Sequence, residues 1–315
     1  MEAESFDKEE RMKRKKEEDQ PKRWIHSKKD RIFDAVLYGI ILICLFLCLA
    51  PVVYMVAVSF SSTKAINSHR VYLWPVEFSM LNYKKVFQDQ SIFRAIRNSL
   101  FVTVGNTAIA MIMTILCAYP LTKKRLKGHR VILLLIIFTM IFNGGIIPDY
   151  LLIKDLNMLN SLWALIIPCS LNTFNMIILR TFFMNSVPKG IEEAAMVDGS
   201  NDFRTLIQIV LPLCKPVLAT LALFYAVARW NGFQDAKFYV TDAAVFTLPQ
   251  KINALINSTQ ITSVTMLQTG SGAENATSEG IESATIIVAT IPILVVYPWL
   301  QKYFVHGVTV GAVKE

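Results

Sequence analysis

Charge is scarce in this sequence: 18% of its 315 residues are Asp, Glu, Lys or Arg, against 53% hydrophobic, with a mean hydropathy of +0.42. That balance points away from a water-soluble chain. A Gly-x-x-x-x-Gly-Lys-Ser/Thr phosphate loop is missing, so any ATP-driven work would take its energy from another chain. No His-Glu-x-x-His motif occurs, and His26, His69, His129 and His306 all fall outside the long apolar runs. Asp149 is the one carboxylate inside those runs, which excludes an intramembrane aspartate pair. The five cysteines (Cys44, Cys48, Cys117, Cys169, Cys214) lie in apolar runs without Cys-x-x-Cys spacing and read as packing residues. Neither a catalytic set nor a metal site is expected. The net charge of +8 sits in short segments between apolar runs, not in a stripe, so nucleic acid is not an expected partner. The polar N-terminus lacks the short basic region and cleavable apolar core of a signal peptide, so the first apolar run is expected to stay as an anchor.

Six stretches are long and apolar enough to cross about 30 Å of hydrocarbon: approximately 35–58, 99–119, 131–153, 162–183, 205–229 and 283–303. The expected fold is all-α, a polytopic membrane protein with six transmembrane helices. The third stretch is interrupted by Asn143-Gly144-Gly145 and Pro148. Two readings fit: a broken helix whose freed backbone faces the protein interior, or a span that ends near Phe142. Pro212 and Pro216 should kink the fifth stretch, and Lys215 should snorkel to the surface.

Lysine and arginine set the orientation. Residues 120–130 hold Lys123, Lys124, Arg125, Lys127 and Arg130, so this loop is expected in the cytoplasm. The N-terminus, residues 184–204 and the C-terminal tail follow it there, leaving 59–98 and 230–282 outside. The latter holds only Lys237 and Lys251, which agrees, whereas 59–98 holds six basic residues, which does not. The spacing of Tyr83, Val86 and Phe87 predicts a helix near the outer surface, which accounts for part of that mismatch. Residues 1–31 mix eleven basic with nine acidic residues and read as a solvated cytoplasmic tail, with lipid binding or regulation the alternative. Residues 32–315 form the transmembrane domain.

Between the fourth and fifth stretches, Pro188 suits a first helical turn, Glu192 and Glu193 fall early, and Gly199 can take the left-handed conformation that ends a helix. A short cytoplasmic helix is predicted. Ile191, Ala194, Ala195 and Asp198 share one face, where the alanines let another backbone approach. Asn201 or Asp202 can cap the helix that follows. Physics alone leaves open whether this helix docks a partner or only connects two spans.

Glu193-Ala194-Ala195, three residues, Gly199, nine residues, Ile209, one residue and Leu211-Pro212 resemble the EAA loop of bacterial ABC importer permeases at every motif position. The resemblance implies that residues 188–199 are the coupling helix, with Glu193, Ala194, Ala195, Asp198 and Gly199 seated in a cleft of a nucleotide-binding ATPase subunit. It runs on from about residue 30. Asn143 to Pro148 with Tyr150-Leu151, Ser161 to Ile166, and Leu179 to Phe183 resemble carbohydrate-uptake permeases related to the maltose type. The ending from Gln301 to Lys314 is similar to the subgroup for complex oligosaccharides and polysaccharide fragments, while Glu315 and the polar stretch 268–279 depart from it. The family implies ATP and Mg on the partner ATPase with no cofactor in this chain, a second permease subunit, an extracellular solute-binding protein, membrane lipid, and a place in the bacterial cytoplasmic membrane.

A sugar path combines amides or hydroxyls with aromatics. Asn143, Asp149, Tyr150, Asn172, Asn175, Trp230 and Asn231 are the candidates, against the plainer reading that asparagines tie helices together. A secondary transporter and, further off, an intramembrane enzyme are the alternatives; copurification with an ATPase subunit separates them from an ABC permease.

Overall fold

The computed structural model of the chain describes residues 28–123, 125–257, 277, 279–292, 294, 295 and 298, and every regular element among them is helical. The chain divides into two units, residues 1–53 and 54–315, the boundary falling inside the first helix. That helix, α1, runs Lys28–Ser59. Its most apolar window is only 6% buried, and so large an exposed apolar surface fits lipid as solvent rather than water.

In the second unit, Ser62 caps α2 (Thr63–Asn67) by accepting from the Ala65 N–H at 3.2 Å. The helix expected around Tyr83 is α3 (Leu81–Gln88), with Val86 buried and Phe87 exposed. Asp89 ends α3 and caps α4 (Gln90–Ala118), its carboxylate accepting from the Ser91 N–H at 2.8 Å and the Ser91 hydroxyl at 2.6 Å. Lys251 Nζ stands 3.5 Å away. Burial pushes the Asp89 carboxyl up, but the Ser91 donors and the Lys251 charge outweigh it and hold the group below its ordinary value. A depressed carboxylate stabilises the fold above its unfolded pKa and ceases to do so as pH falls through the folded value. The gap in thermal unfolding midpoint between the native chain and Asp89→Asn should therefore be full at neutral pH and close on acidification.

The packing of α4 is that of a helix in lipid. Apart from Ile92 and Val102, its buried face is small or polar (Ala95, Asn98, Ser99, Thr103, Asn106, Ala110, Thr114, Ala118), while Leu100, Phe101, Val104, Ile112, Met113 and Leu116 point outward. Where lipid tails are as apolar as leucine, helices associate through close approach and interhelical hydrogen bonds. Here Asn98 Nδ2 donates to the Ala244 and Phe246 carbonyls at 3.2 and 3.1 Å, and Ser99 Oγ accepts from the Leu248 N–H at 2.7 Å. Deeper along the helix, Asn106 Nδ2 reaches the Ile166 carbonyl at 2.8 Å and Thr114 Oγ1 pairs with Tyr225 Oη at 2.7 Å.

Among the described residues, two helices are long and apolar enough to span, Ile32–Ser59 and Gln90–Thr122, and two bent pairs qualify if each counts as one span. The first pair is α5 (His129–Ile141) with α6 (Ile146–Asp155), bent by 110°. It breaks at Asn143-Gly144-Gly145, where Asn143 Oδ1 accepts from the Gly145 N–H at 2.9 Å and Gly145 takes φ +85°. The first helix of the pair does end at Phe142, its C-cap, and the second follows after the break, so the pair is a bent span or a re-entrant turn. The break does not face the interior of this chain as expected, since Asn143 and Gly144 are exposed.

The stretch expected to cross at 162–183 is instead one turn, α7 (Trp163–Ile166), and a separate helix, α8 (Thr173–Ser186). Pro168 lies in the gap, and Asn172 opens α8 by accepting from the Asn175 N–H at 3.0 Å. After α9 (Lys189–Val197), the stretch expected at 205–229 is also two pieces. Asp202–Leu213 comprises α10 (Asp202–Thr205), a π turn (Leu206–Val210) and α11 (Leu211–Leu213), and it meets α12 (Lys215–Trp230) at 86°. Pro212 and Pro216 flank the corner at Cys214 and withhold the N–H groups that would carry the helix through. The kink expected from these prolines is thus a right-angled turn. α13 (Gln234–Tyr239) and helices at 248–257 and 279–292 follow, and the stretch expected at 283–303 runs partly outside the described residues.

The apolar core at the α9 end joins Ala118, Leu121, Met176, Leu179, Phe183, Leu206, Val210, Cys214, Val217 and Leu221. Cys214 is a packing residue as expected, but Cys44, Cys48 and Cys169 are exposed.

Candidate functional site

Two places gather the candidate residues. The first is a cavity of about 690 Å³ walled by α6, the start of α8, α12 and α13. Helical spacing on α12 brings Tyr225 and Arg229 to one face, four residues apart. Asp149, Asn172 and Asn175 line this cavity together with Phe224, Tyr225, Arg229, Phe233 and Tyr239. Asn172 is held in place by Tyr225, whose hydroxyl accepts from the Asn172 N–H at 3.2 Å. The wall thus mixes amides, tyrosine hydroxyls, the Asp149 and Asp235 carboxylates and the Arg229 guanidinium with aromatic faces, a surface suited to a polyhydroxylated solute.

The other four candidates lie elsewhere. Trp230 and Asn231 line a smaller cavity of about 350 Å³ with Leu248 and Ile252. The Asn231 amide closes its own helix, Nδ2 donating to the Val227 carbonyl at 2.9 Å. Asn143 shapes the break after α5, and Tyr150 packs against the cluster around Ile153, Leu165 and Tyr239.

Arg229 escaped sequence reasoning. Its side chain is 6% exposed, with Nη2 2.5 Å from Asp235 Oδ2 and Nη1 donating to the Leu165 carbonyl at 2.9 Å. Gly232 leaves room for it, because a Cβ there would stand 2.2 Å from Nη2. An ionisable residue closing an apolar run was the available signal.

The second place is α9. Pro188 is its N-cap, one position earlier than first-turn placement. Gly199 takes φ +78° and completes a double-bonded helix end: the Gly199 N–H donates to the Met196 carbonyl at 3.1 Å and the Ser200 N–H to the Ala195 carbonyl at 2.9 Å. Asn201, not Asp202, caps the next helix, accepting from the Arg204 N–H at 2.8 Å, while Asp202 pairs with Arg125. The expected face is split. Ala195 is buried against the chain itself, whereas Ile191, Ala194 and Asp198 are exposed beside Val197, which is 88% exposed. Glu193 is exposed and borders a cavity of about 590 Å³ that also meets Tyr119, Lys123, Arg180 and Glu192.

The chain is similar along most of its length to a polygalacturonan/rhamnogalacturonan transport system permease protein, YtcP of Bacillus subtilis (strain 168). The two are 39% identical over 286 residues, covering 91% of this chain and 99% of the relative. Among solved structures it resembles a bacterial ABC transporter involved in the import of the acidic polysaccharide alginate, with a TM-score of 0.81 and 33% identity over 90% of this chain and all of that one. A bacterial alginate ABC transporter in complex with an alginate pentasaccharide-bound periplasmic protein shares the fold at a TM-score of 0.56 and 17% identity, over 89% of this chain and 96% of that one. Residues 131–310, more than half of the chain, match a family of transport components, and the chain therefore belongs to the binding-protein-dependent transport system inner membrane components.

Proposed function

We propose that the chain is the permease subunit of an ATP-driven importer that passes an oligosaccharide, a fragment of an acidic polysaccharide, across the bacterial cytoplasmic membrane. The substrate class follows from relatives that carry polygalacturonan, rhamnogalacturonan and alginate and from the amide and aromatic lining of the larger cavity. Asp149, Asn172 and Asn175 with Tyr225 form its polar wall. Residues 1–31 are a cytoplasmic tail, residues 32–315 the six-span permease domain with both ends in the cytoplasm. The working complex adds two ATPase subunits, which supply ATP and Mg, a second permease and an extracellular solute-binding protein.

The observation that carries this reading is α9, a helix with fixed ends whose apolar residues Ile191, Met196 and Val197 lie open. With Glu193, Ala194, Asp198 and Gly199, they present a small surface for an ATPase cleft, and closure of the ATPase pair would rock the spans between two conformations. Removing central contacts of an interface costs about 2 kcal/mol or more, hence at least about tenfold in affinity. Ile191→Asp with Val197→Asp should strip the ATPase subunits from the purified transporter and abolish uptake. Full uptake with the subunits still bound would refute the docking role.

A further inference from the structure

The basic segment after α4 does more than mark a side of the membrane. Lys123 Nζ lies 2.6 Å from Glu192 Oε2 on α9, with the two side chains 16% and 22% exposed. The same ammonium sits over the Tyr119 ring, 4.2 Å from its centroid. Tyr119 follows directly on α4 and meets Phe183 of α8 edge to face, their centroids 6.2 Å apart. One turn earlier on α8, Arg180 Nε donates to the Leu121 carbonyl at 3.0 Å. A run of charge-assisted and aromatic contacts thus joins α9 to the ends of α4 and α8.

Apolar packing offers α9 little by comparison. Ala195 is its one buried residue among those described, and a methyl group gives a weak grip. Of the two ion pairs near α9, Arg125 with Asp202 is exposed at 56% on each side and would be worth under about 1 kcal/mol. Lys123 with Glu192 is shielded, so salt screens it less and its partners hold one geometry. It is the stiffer of the two links.

We infer that Lys123 and Glu192 are positioning residues that pass displacement of α9 to α4 and α8, through Glu192, Lys123, Tyr119 and Phe183. The inference rests on α9 being the docking element for a separate ATPase. Glu193 faces the partner in that reading, whereas Glu192 faces this chain. Two adjacent carboxylates then divide the work, one meeting the motor and the other holding the spans.

The test is charge reversal in the complete transporter, reading solute imported per ATP hydrolysed together with ATPase retention. Lys123→Glu and Glu192→Lys, each alone, should keep the ATPase subunits bound while lowering solute per ATP roughly fivefold, within the range of mutations on a coupling network. The double reversal restores the pair, though not the cation over Tyr119, and should recover at least half of the lost ratio. A merely structural role would change yield without changing that ratio. Single reversals that leave the ratio unchanged, or a double reversal no better than the worse single, would overturn the inference while copurification leaves the docking role standing. A native transporter that holds no ATPase subunit would overturn both.

Discussion

Replacing Arg229 with methionine should lower the stability of the purified chain by about 3–5 kcal/mol, the cost of removing one partner from a buried ion pair. The substitution keeps an unbranched stem but deletes the donors that serve Asp235 Oδ2 at 2.5 Å and the Leu165 carbonyl at 2.9 Å. Asp235 is then an unpaired carboxylate only 22% exposed. Arg229 also fastens the adjacent α13 and, 64 residues away in sequence, α7 to the end of α12. Unfolding in detergent should show the loss as a lowered midpoint. Arg229→Met with Asp235→Leu should recover much of it, because well-packed apolar residues often replace a buried pair without penalty. A single variant within about 1 kcal/mol of the native chain, the range of an exposed pair, would show that the guanidinium is solvated rather than buried.

The second large effect concerns Gly199. A left-handed residue costs an L-amino acid roughly 1–2 kcal/mol, and a β-branched one is a genuine outlier there. Gly199→Val should therefore displace the helix end and weaken the bonds from the Gly199 and Ser200 N–H groups. Because α9 has so little else to hold it, the displacement reaches the docking surface, and uptake should fall about tenfold for a shift near 1.4 kcal/mol. Gly199→Asn, which tolerates the same backbone, should stay within about twofold, since asparagine also serves at this position. Equal uptake by the two variants would mean that the backbone angle is not what matters.

Features of the fold that depend on neighbours in sequence were legible. The uncharged run from Ala35 to Ala57 announced α1, Asn143-Gly144-Gly145 announced the break after α5, and Gly199 announced the end of α9. What depends on distant partners was not. Span four read as continuous although Pro168, Ser170 and Asn172 interrupt the apolar run where α7 stops, and in span five the prolines foretold a kink but not a turn of 86° at Cys214. Asn98 and Ser99 lay at the edge of an expected span, yet they belong inside α4, where they meet carbonyl and amide groups of residues 244–248. The four-residue face expected on α9 was divided by its surroundings: Lys123 draws Glu192 inward and Ala195 with it, leaving Ile191, Ala194 and Asp198 outside. In the cavity, Asp149, Asn172 and Asn175 were found as polar residues in apolar runs, but Arg229 closed such a run and resembled its boundary.

The π turn at Leu206–Val210, where the Leu211 N–H reaches back five residues to the Leu206 carbonyl, makes this region sensitive to residue count. Such a turn accommodates one residue more than a regular helix would. Deleting that residue would leave a sound α-helix, yet everything on its N-terminal side would swing by about 100° about the axis. Arg125 would then lose Asp202, and Ala195 its seat. The bearing of the docking surface is therefore encoded in the length of a neighbouring helix, so that an insertion or deletion there could silence transport while every side chain at the surface stays the same.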